Sequence, residues 1–248
     1  MSTYQAQVRC AAADIDPAFW RQPRGVQVPD DDLRFLLVPD AVESLAVAAL
    51  AQQVQAYQRT AEHPVTCALM ATMGGMLPGI LLHDHLAHGL EPGAPDIAFG
   101  TIGVSLYKGP DERHAEPRVT QAVSVDILKQ TVLVIDDLGD RGGTLKFLTS
   151  HLQQAGAARV LSLVVYMKPQ AMQVSPADFY FGEVAQDTWI ITPRETVETL
   201  RKRVPVWVSR GADERECRRR LVELIGYPPW LVERYLPHVF ALAQADSR

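Results

Sequence analysis

The segment Val132–Thr144, with the sequence VLVIDDLGDRGGT, constrains the fold more than any other part of the chain. Its first four residues are apolar, and two adjacent aspartates, Asp136 and Asp137, follow them. A run that is apolar on both faces is typical of a strand buried in a parallel sheet. Leucines then recur at helical spacing over residues 145–152, and Gly156 stands where a C-cap glycine belongs. The order of strand, acidic edge, glycine loop and helix predicts an α/β domain with a mainly parallel sheet.

The glycine loop of this segment would lie at the N-terminus of the following helix. Backbone N–H groups without intrahelical partners, together with the positive end of the helix dipole, favour a phosphate at such a position. The carboxylates of Asp136 and Asp137 suit sugar hydroxyls and hydrated Mg²⁺ instead. The combination predicts a ribose 5-phosphate site. The alternative is an ordinary acidic, glycine-rich loop after a strand, which the glycines alone would favour.

Composition narrows the class of protein. A chain of 248 residues, 47% hydrophobic and with a formal net charge of -5, suits one globular domain with additions. The acidic balance offers no electrostatic footprint for nucleic acid, and no long uncharged apolar run predicts a membrane span. Three scattered cysteines predict no disulfide framework and a reducing compartment. We therefore expect a cytoplasmic protein without nucleic-acid or membrane partners.

Three parts of the chain differ in pattern. Residues 1–32 are rich in proline and aspartate and predict an N-terminal arm, which Phe19 and Trp20 would pin to the domain. Residues 33–195 carry the buried strands and form the predicted domain. Residues 196–248 predict a C-terminal extension of short amphipathic helices hinged at a Pro-Pro pair. An arginine run such as that in the extension is typical of a solvated helix face.

Two other stretches contribute candidate site residues. The predicted strand over residues 65–71 opens into TMGGM, where Gly74 and Gly75 permit positive φ and a close backbone approach. The alternative is a tight turn that packs a helix onto the strand. The predicted strand over residues 159–167 delivers Lys168 at its carboxyl edge, where ligands bind in open α/β sheets. Lys168 would then reach the same crevice as Asp136 and Asp140.

Three motifs occur in the order found in one enzyme family. They are the acidic strand end with its DRGGT loop, the pair Lys168–Pro169, and QDTWI at residues 186–190. With these motifs, about two thirds of the chain resembles the type I phosphoribosyltransferases, and in particular the bacterial xanthine-guanine enzymes. The resemblance implies a type I phosphoribosyltransferase fold, with a mainly parallel central sheet flanked by helices. It also implies transfer of the 5-phosphoribosyl group from 5-phosphoribosyl 1-diphosphate (PRPP) to a 6-oxopurine, with Mg²⁺ as cofactor and diphosphate as product.

The family pattern implies roles for the central segment. Asp136 and Asp137 would bind the ribose hydroxyls and, through water, the metal ion. The 5-phosphate would be held by the loop that contains Asp140, Arg141, Gly142, Gly143 and Thr144. Asp140 is also the candidate catalytic residue, because a carboxylate at this position can accept a proton from N7 of the purine. Arg141 stands where the family has Thr or Ser, and we predict that it folds outward and meets the phosphate from the solvent side.

On the donor side, the resemblance assigns the diphosphate loop to Met73, Gly74 and Gly75. Met73 departs from the family, which usually has Arg or Lys there. Tyr107 and Lys108 match the start of a long loop that closes over the donor and excludes water. An ordinary surface loop is the alternative for that stretch.

On the base side, Lys168 would donate to the purine 6-oxygen. The ring of Trp189 would stack on the base, and the backbone of Ile190 would read the group at position 2. The expected ligands are thus PRPP and a purine-like base or its nucleoside monophosphate, as in purine salvage. We also expect a homo-oligomer, and the C-terminal extension could be a hood over the base, a dimer contact or a dock for a partner.

Two alternatives to this enzyme remain open at the level of sequence. A regulator that senses PRPP or a nucleotide is favoured by Met73 and by the Leu106–Tyr107 pair, which is similar to the pyrimidine-operon attenuator proteins. A phosphoribosyltransferase for a non-purine substrate is the other.

Overall fold

A computed structural model describes residues 15–87, 95–107 and 113–246 of the chain, with side chains except those of 106–107, 113–116 and 246. The strands in these ranges are β1 (Val26–Gln27), β2 (Arg34–Leu37), β3 (Cys67–Thr72), β4 (Ala98–Tyr107), β5 (Arg113–Gln121), β6 (Thr131–Gly139), β7 (Arg159–Met167), β8 (Phe179–Glu183) and β9 (Thr188–Ile191). The α-helices are α1 (Pro17–Arg21), α2 (Asp40–Thr60), α3 (Met76–Ala87), α4 (Gly143–Gln154), α5 (Pro169–Val174), α6 (Thr196–Ser209), α7 (Glu214–Arg219) and α8 (Pro229–Asp246).

The described residues form two compact units. One lies within residues 44–186, and the other combines residues 15–43 with residues 187–246. The strands β2 and β9 explain this division, because they pair in parallel although they come from opposite ends of the predicted domain. The predicted division into an arm (1–32), a domain (33–195) and an extension (196–248) stays a prediction, and the compact units divide the chain at other positions.

The unit within residues 44–186 contains a six-stranded sheet in the order β5-β4-β3-β6-β7-β8. All neighbours are parallel except β4 and β5. The first five residues of β6 are buried and the next three, 136–138, are only partly buried, so the acidic pair emerges where the strand leaves the core. Leu145, Leu148 and Leu152 of α4 are buried, as their spacing predicts. The predicted fold class, a mainly parallel α/β sheet with flanking helices, is confirmed.

Parallel pairing brings three loops to one edge of this sheet. Strand β6 lies between β3 and β7, with Met70 opposite Ile135 and Gly139 opposite Met167. The carboxyl ends of parallel strands meet at the same edge. The loops after β3, β6 and β7, which carry the candidate site residues, are therefore neighbours.

The second unit contains the small sheet β1-β2-β9, with helices α6, α7 and α8 packed around a shared core. Phe35 and Trp207 are fully buried in that core and contact each other edge to face, with ring centroids 5.8 Å apart. Helix α7 continues as a π-helical turn, Arg220–Ile225, which ends at Gly226 in the left-handed region. In the N-terminal part, Trp20 of α1 is buried.

A buried carboxylate joins the N-terminal and C-terminal parts of this unit. Asp31 accepts hydrogen bonds from Nη2 of Arg203 at 2.6 and 2.7 Å and from the indole nitrogen of Trp207 at 2.6 Å. Burial alone would raise the pKa of Asp31, but the hydrogen bonds from Arg203, from the Leu33 backbone and from Trp207 outweigh it and lower that pKa. The expectation of a solvated arginine face is therefore wrong for Arg203, whose side chain is 13% exposed.

No helix in the described ranges is both long and apolar enough to cross a membrane.

Candidate active site

The acidic end of β6 and the loop after β3 are in close contact. The amide of Asp137 donates to Oδ1 of Asp136 at 3.0 Å. A methyl group on Gly74 would overlap the carboxylate of Asp136 and lie 2.6 Å from Oδ1 of Asp137. Adjacent strand residues ordinarily point to opposite faces of a sheet, yet both carboxylates reach Gly74. A side chain at Gly74 would thus displace the two carboxylates.

The second glycine of that loop is equally constrained. A methyl group on Gly75 would overlap the carbonyl oxygen of Ile135. The described glycines with positive φ are Gly142, Gly156, Gly211 and Gly226. Neither glycine of TMGGM therefore uses positive φ: Gly75 is needed for a close approach to the backbone, and Gly74 for a close approach to the two carboxylates. The Thr72–Met73 peptide bond is cis, and Met73 is 63% exposed.

The loop after β6 has the geometry of an anion site. Gly142 adopts φ of 78° in the left-handed region and is the N-cap of α4, with no side chain capping the helix. A methyl group on Gly143 would meet no atom within 4 Å, whereas one on Gly142 would lie 3.0 Å from Cβ of Val174. The first N–H groups of this twelve-residue helix thus have no side-chain cap, and an anion is favoured at such a helix start.

Lys168 and Asp140 form an ion pair at this edge. The Nζ of Lys168 lies 2.8 Å from Oδ1 of Asp140, with the lysine side chain 9% exposed and the aspartate side chain 42% exposed. The Lys168 amide also donates to the carbonyl of Gly139 at 2.9 Å, which ties the two loops together. The side chain of Arg141 is 62% exposed, with its Nε 3.9 Å from Oδ2 of Asp140.

Gln186 supports this pair and received no role from the sequence. Its Nε2 donates to the carbonyl of Asp140 at 3.4 Å, and its Oε1 accepts from the amide of Gln170 at 3.0 Å. One side chain therefore bridges the loop after β6 and the start of α5. Its place as the first residue of QDTWI is the only sequence signal that could have indicated this role.

The carboxylates of this site fit Mg²⁺. Among the residues whose side chains the structure describes, no group of three or more His, Cys, Asp or Glu could hold a metal ion. Magnesium commonly uses one or two protein carboxylates and takes its remaining ligands from water and substrate phosphates. Asp136 and Asp137, beside a loop without side chains at Gly74, match that mode.

Comparison with known proteins identifies the family. Residues 44–196 match the phosphoribosyl transferase domain family. The chain belongs to this family. It is 31% identical over 125 residues to a xanthine-guanine phosphoribosyltransferase of Gluconobacter oxydans, covering 50% of this chain and 66% of the relative. A xanthine-guanine phosphoribosyltransferase of Nitratidesulfovibrio vulgaris is 41% identical over 121 residues, covering 48% of this chain and 63% of the relative.

The chain thus matches about two thirds or less of the length of these relatives. Among solved structures, the purine phosphoribosyltransferase from Pyrococcus horikoshii is similar in fold, with a TM-score of 0.51 and 24% identity over 66% of this chain and 94% of that chain. The predicted resemblance to the type I phosphoribosyltransferases and to the xanthine-guanine enzymes is confirmed.

The other predicted site residues of this phosphoribosyltransferase chain are not part of the loops after β3, β6 and β7. Trp189 and Ile190 belong to the second compact unit, where Ile190 is buried in β9 opposite Leu36. Tyr107 is the last residue of β4, but its side chain is outside the described part, and Lys108 lies outside the described residues altogether. Their predicted contacts with base and donor stay predictions.

Proposed function

We propose that this chain transfers the 5-phosphoribosyl group from PRPP to a 6-oxopurine or a similar base and releases diphosphate. The observation that carries the proposal is the contact of Lys168 with Asp140, in the loop that leads to the uncapped N-terminus of α4. Membership of the phosphoribosyltransferase family and the identity to xanthine-guanine enzymes support the same reaction.

The sugar phosphate would be bound by backbone and carboxylates. The first amides of α4, from Gly143 onward, would hold the 5-phosphate, since the helix start has no side-chain cap. Asp136 and Asp137 would accept hydrogen bonds from the ribose hydroxyls and hold the hydrated metal ion. When bound, Mg²⁺ would neutralise the charge of the diphosphate as it leaves. The loop at Gly74 and Gly75 would offer backbone amides to the diphosphate.

Lys168 and Asp140 suit one edge of a 6-oxopurine. The 6-oxygen and N7 are neighbours on that edge, and in the free base protonated at N7 the 6-oxygen accepts a hydrogen bond while N7–H donates one. Lys168 would donate to the 6-oxygen, while Asp140 would receive the proton that N7 loses as the bond from N9 to C1′ forms and the bond from C1′ to diphosphate breaks. A desolvated ammonium is a strong partner for a carbonyl oxygen, and Lys168 is already largely buried.

The remaining roles complete the proposal. Trp189 would stack on the base, the backbone of Ile190 would contact the group at position 2, and Tyr107 and Lys108 would begin the loop that closes over the donor. Exclusion of water matters because the anomeric carbon becomes reactive toward any nucleophile. We further propose a cytoplasmic homo-oligomer that acts in purine salvage.

The test is a turnover assay on the full chain. The protein is incubated with PRPP and Mg²⁺ and with xanthine, guanine, hypoxanthine, adenine or orotate, and diphosphate release is followed. We expect release with one or more 6-oxopurines and little with adenine. Release with orotate alone would favour the second enzyme hypothesis, a phosphoribosyltransferase for a non-purine substrate.

A regulator that binds PRPP or a nucleotide is a second candidate. Two departures from the family favour it, because Met73 removes a cation from the diphosphate loop and is largely exposed, and Arg141 replaces a hydroxyl of the phosphate loop. Tight binding of PRPP by calorimetry, without diphosphate release for any base, would support the regulator over the enzyme.

A further inference from the structure

The indole ring of Trp189 is tied to one helix. Trp189 lies in β9, is partly buried, and donates its indole N–H to Oγ1 of Thr199 at 3.0 Å. Thr199 is fully buried in α6. A buried indole N–H ordinarily requires an acceptor, and a buried acceptor that loses its donor is destabilised. The hydrogen bond therefore fixes how the ring is turned about the bond that joins it to the chain.

Two cations from the same helix face contact the ring as well. Lys202 and Arg203 follow Thr199 by three and four positions, and residues at this spacing share a helix face. The Nζ of Lys202 and the Cζ of Arg203 each lie 5.7 Å from the centroid of the Trp189 ring. This is within the range of cation–π attraction. One face of α6 thus supports the ring through an acceptor at its edge and two cations over its π system.

The helix face is itself anchored to the small sheet. Arg203 makes two hydrogen bonds to the buried carboxylate of Asp31, and its Cζ lies 5.8 Å from the ring of Phe35 in β2. Strand β2 pairs in parallel with β9, with Phe35 opposite Trp189. The support of Trp189 is thus continuous with the core of its unit, as a rigid stacking platform requires.

We propose that Thr199 is a positioning residue, which holds the plane of the Trp189 ring for stacking on a flat heterocyclic base. The inference rests on the proposed function through the assignment of Trp189 to the base. Stacking depends on ring orientation, whereas the donor is assigned to backbone amides and carboxylates of the loops after β3 and β6. Loss of the Thr199 acceptor should therefore weaken base binding and leave PRPP binding unchanged.

The experiment compares four variants of the full chain. Thr199→Val keeps the shape but removes the acceptor, Thr199→Ser keeps the acceptor, and Trp189→Phe keeps a ring without an N–H donor. The fourth is the Thr199→Val, Trp189→Phe double variant. The KM values for base and PRPP and the kcat are measured for the wild type and all four variants. Acrylamide quenching of the Trp189 fluorescence is obtained by difference, with Trp189→Phe as the reference for the wild type and the double variant as the reference for Thr199→Val.

We expect Thr199→Val to raise the KM for the base roughly threefold to tenfold, a change of the size expected when one hydrogen bond is lost. The KM for PRPP should stay within about twofold of the wild-type value. Thr199→Ser should restore the base KM toward the wild-type value. Quenching of Trp189 should increase in Thr199→Val. In the Trp189→Phe background, Thr199→Val should have no further effect, because the donor is already absent.

An unchanged KM for the base in Thr199→Val, or equal increases in the KM values for base and PRPP, would overturn the inference. The proposed function would be unaffected by such a result as long as the wild-type protein turns over. The same holds for an additional effect of Thr199→Val in the Trp189→Phe background. If Thr199→Val does not fold, Thr199→Ala and Thr199→Ser provide the same comparison. A wild-type protein that neither turns over nor binds any base would instead remove the proposed function, and the base-positioning role with it.

Discussion

The Nζ of Lys168 lies 2.8 Å from Oδ1 of Asp140, and the lysine side chain is 9% exposed. The register of β6 and β7 creates this contact, since Gly139 pairs with Met167 at the ends of the two strands and Asp140 and Lys168 directly follow them. A cation is thus held desolvated at the carboxyl edge of the sheet with one half-exposed carboxylate as its partner. A base that brings its own acceptor oxygen could share that cation.

Replacing Lys168 with Met should weaken base binding much more than folding. Met preserves most of the volume, and the partly exposed Asp140 can be solvated by water. Loss of a hydrogen bond to a charged group, worth about 1.5–3 kcal/mol, should raise the KM for a 6-oxopurine roughly tenfold to a hundredfold. Steady-state kinetics check this. Asp140→Asn is the matched variant and should lower kcat more than it changes the base KM, so the same response in both variants would contradict the separate roles.

Gly74→Ala should impair donor binding. The added methyl would overlap Asp136 and approach Asp137 to 2.6 Å, so the loop or both carboxylates must move. We expect PRPP affinity, measured by calorimetry, to fall at least about tenfold, because the displaced carboxylates are those assigned to the ribose and the metal ion. Gly143→Ala, whose methyl would meet nothing within 4 Å, is the control for stability. Its free energy of unfolding should stay within about 0.5 kcal/mol of the wild-type value. Unchanged PRPP affinity in Gly74→Ala would show that this loop does not touch the donor.

The double variant Asp136→Asn, Asp137→Asn should abolish Mg²⁺-dependent binding of PRPP. Amides cannot replace the charge that attracts the hydrated ion. Binding of a nucleoside monophosphate without Mg²⁺ should persist, because the 5-phosphate is assigned to the amides at the start of α4. Calorimetry with and without Mg²⁺ separates PRPP binding from nucleoside monophosphate binding. PRPP binding equal to that of the wild type would refute the assignment of Asp136 and Asp137 to the ribose and the metal ion.

Arg141→Thr tests the departure of the phosphate loop from the family. The Arg141 side chain is 62% exposed, which leaves its guanidinium accessible to a phosphate from the solvent side. If it does, removing the permanent charge should weaken nucleotide affinity roughly tenfold and leave turnover equal or faster, since product release is no longer retarded. Tighter nucleotide binding in this variant would mean that Arg141 obstructs the site and would favour the regulator hypothesis.

Asp31→Asn should destabilise the protein by about 3–5 kcal/mol at neutral pH, because it leaves the guanidinium of Arg203 buried without its counter-charge. Asp32→Asn is the control: its 85% exposed carboxylate pairs with Arg210, and the change should be at most about 1 kcal/mol. Denaturant unfolding measures both.

The effect of Asp31 should depend on pH in one direction. Its hydrogen bonds from Arg203, Leu33 and Trp207 lower its pKa below the usual 3.8, despite the opposing effect of burial. The stabilisation by ionised Asp31 is therefore complete above the pKa that Asp31 has in the unfolded chain. It is lost as the pH falls through the lower pKa that Asp31 has in the folded protein. The difference in free energy of unfolding between the wild type and Asp31→Asn should be constant at neutral pH and shrink below about pH 4. A difference that grows toward acid pH would be incompatible with this pair.

Local order in the sequence determined the elements and the chemistry of the central segment. The apolar run before Asp136, the leucine spacing of α4 and the glycines of two loops are short-range patterns, and each predicts a strand, a helix face or a close approach by itself. Because parallel strands place their carboxyl ends at one edge, the neighbourhood of Lys168 and the acidic segment also followed from the sequence.

Tertiary structure decided which of these groups are in contact and which residues from the two ends of the chain pair with each other. The contact of Lys168 with Asp140 needs the register of β6 and β7, and the approach of Gly74 to Asp136 needs that of β3 and β6. Asp31 and Arg203 are 172 positions apart, so no periodicity could reveal that an apparently solvated arginine is the partner of a buried carboxylate. Such pairings depend on the packing of distant segments into one core. A charged side chain is stable in that core only if it is paired there, because an unpaired buried charge is strongly destabilising.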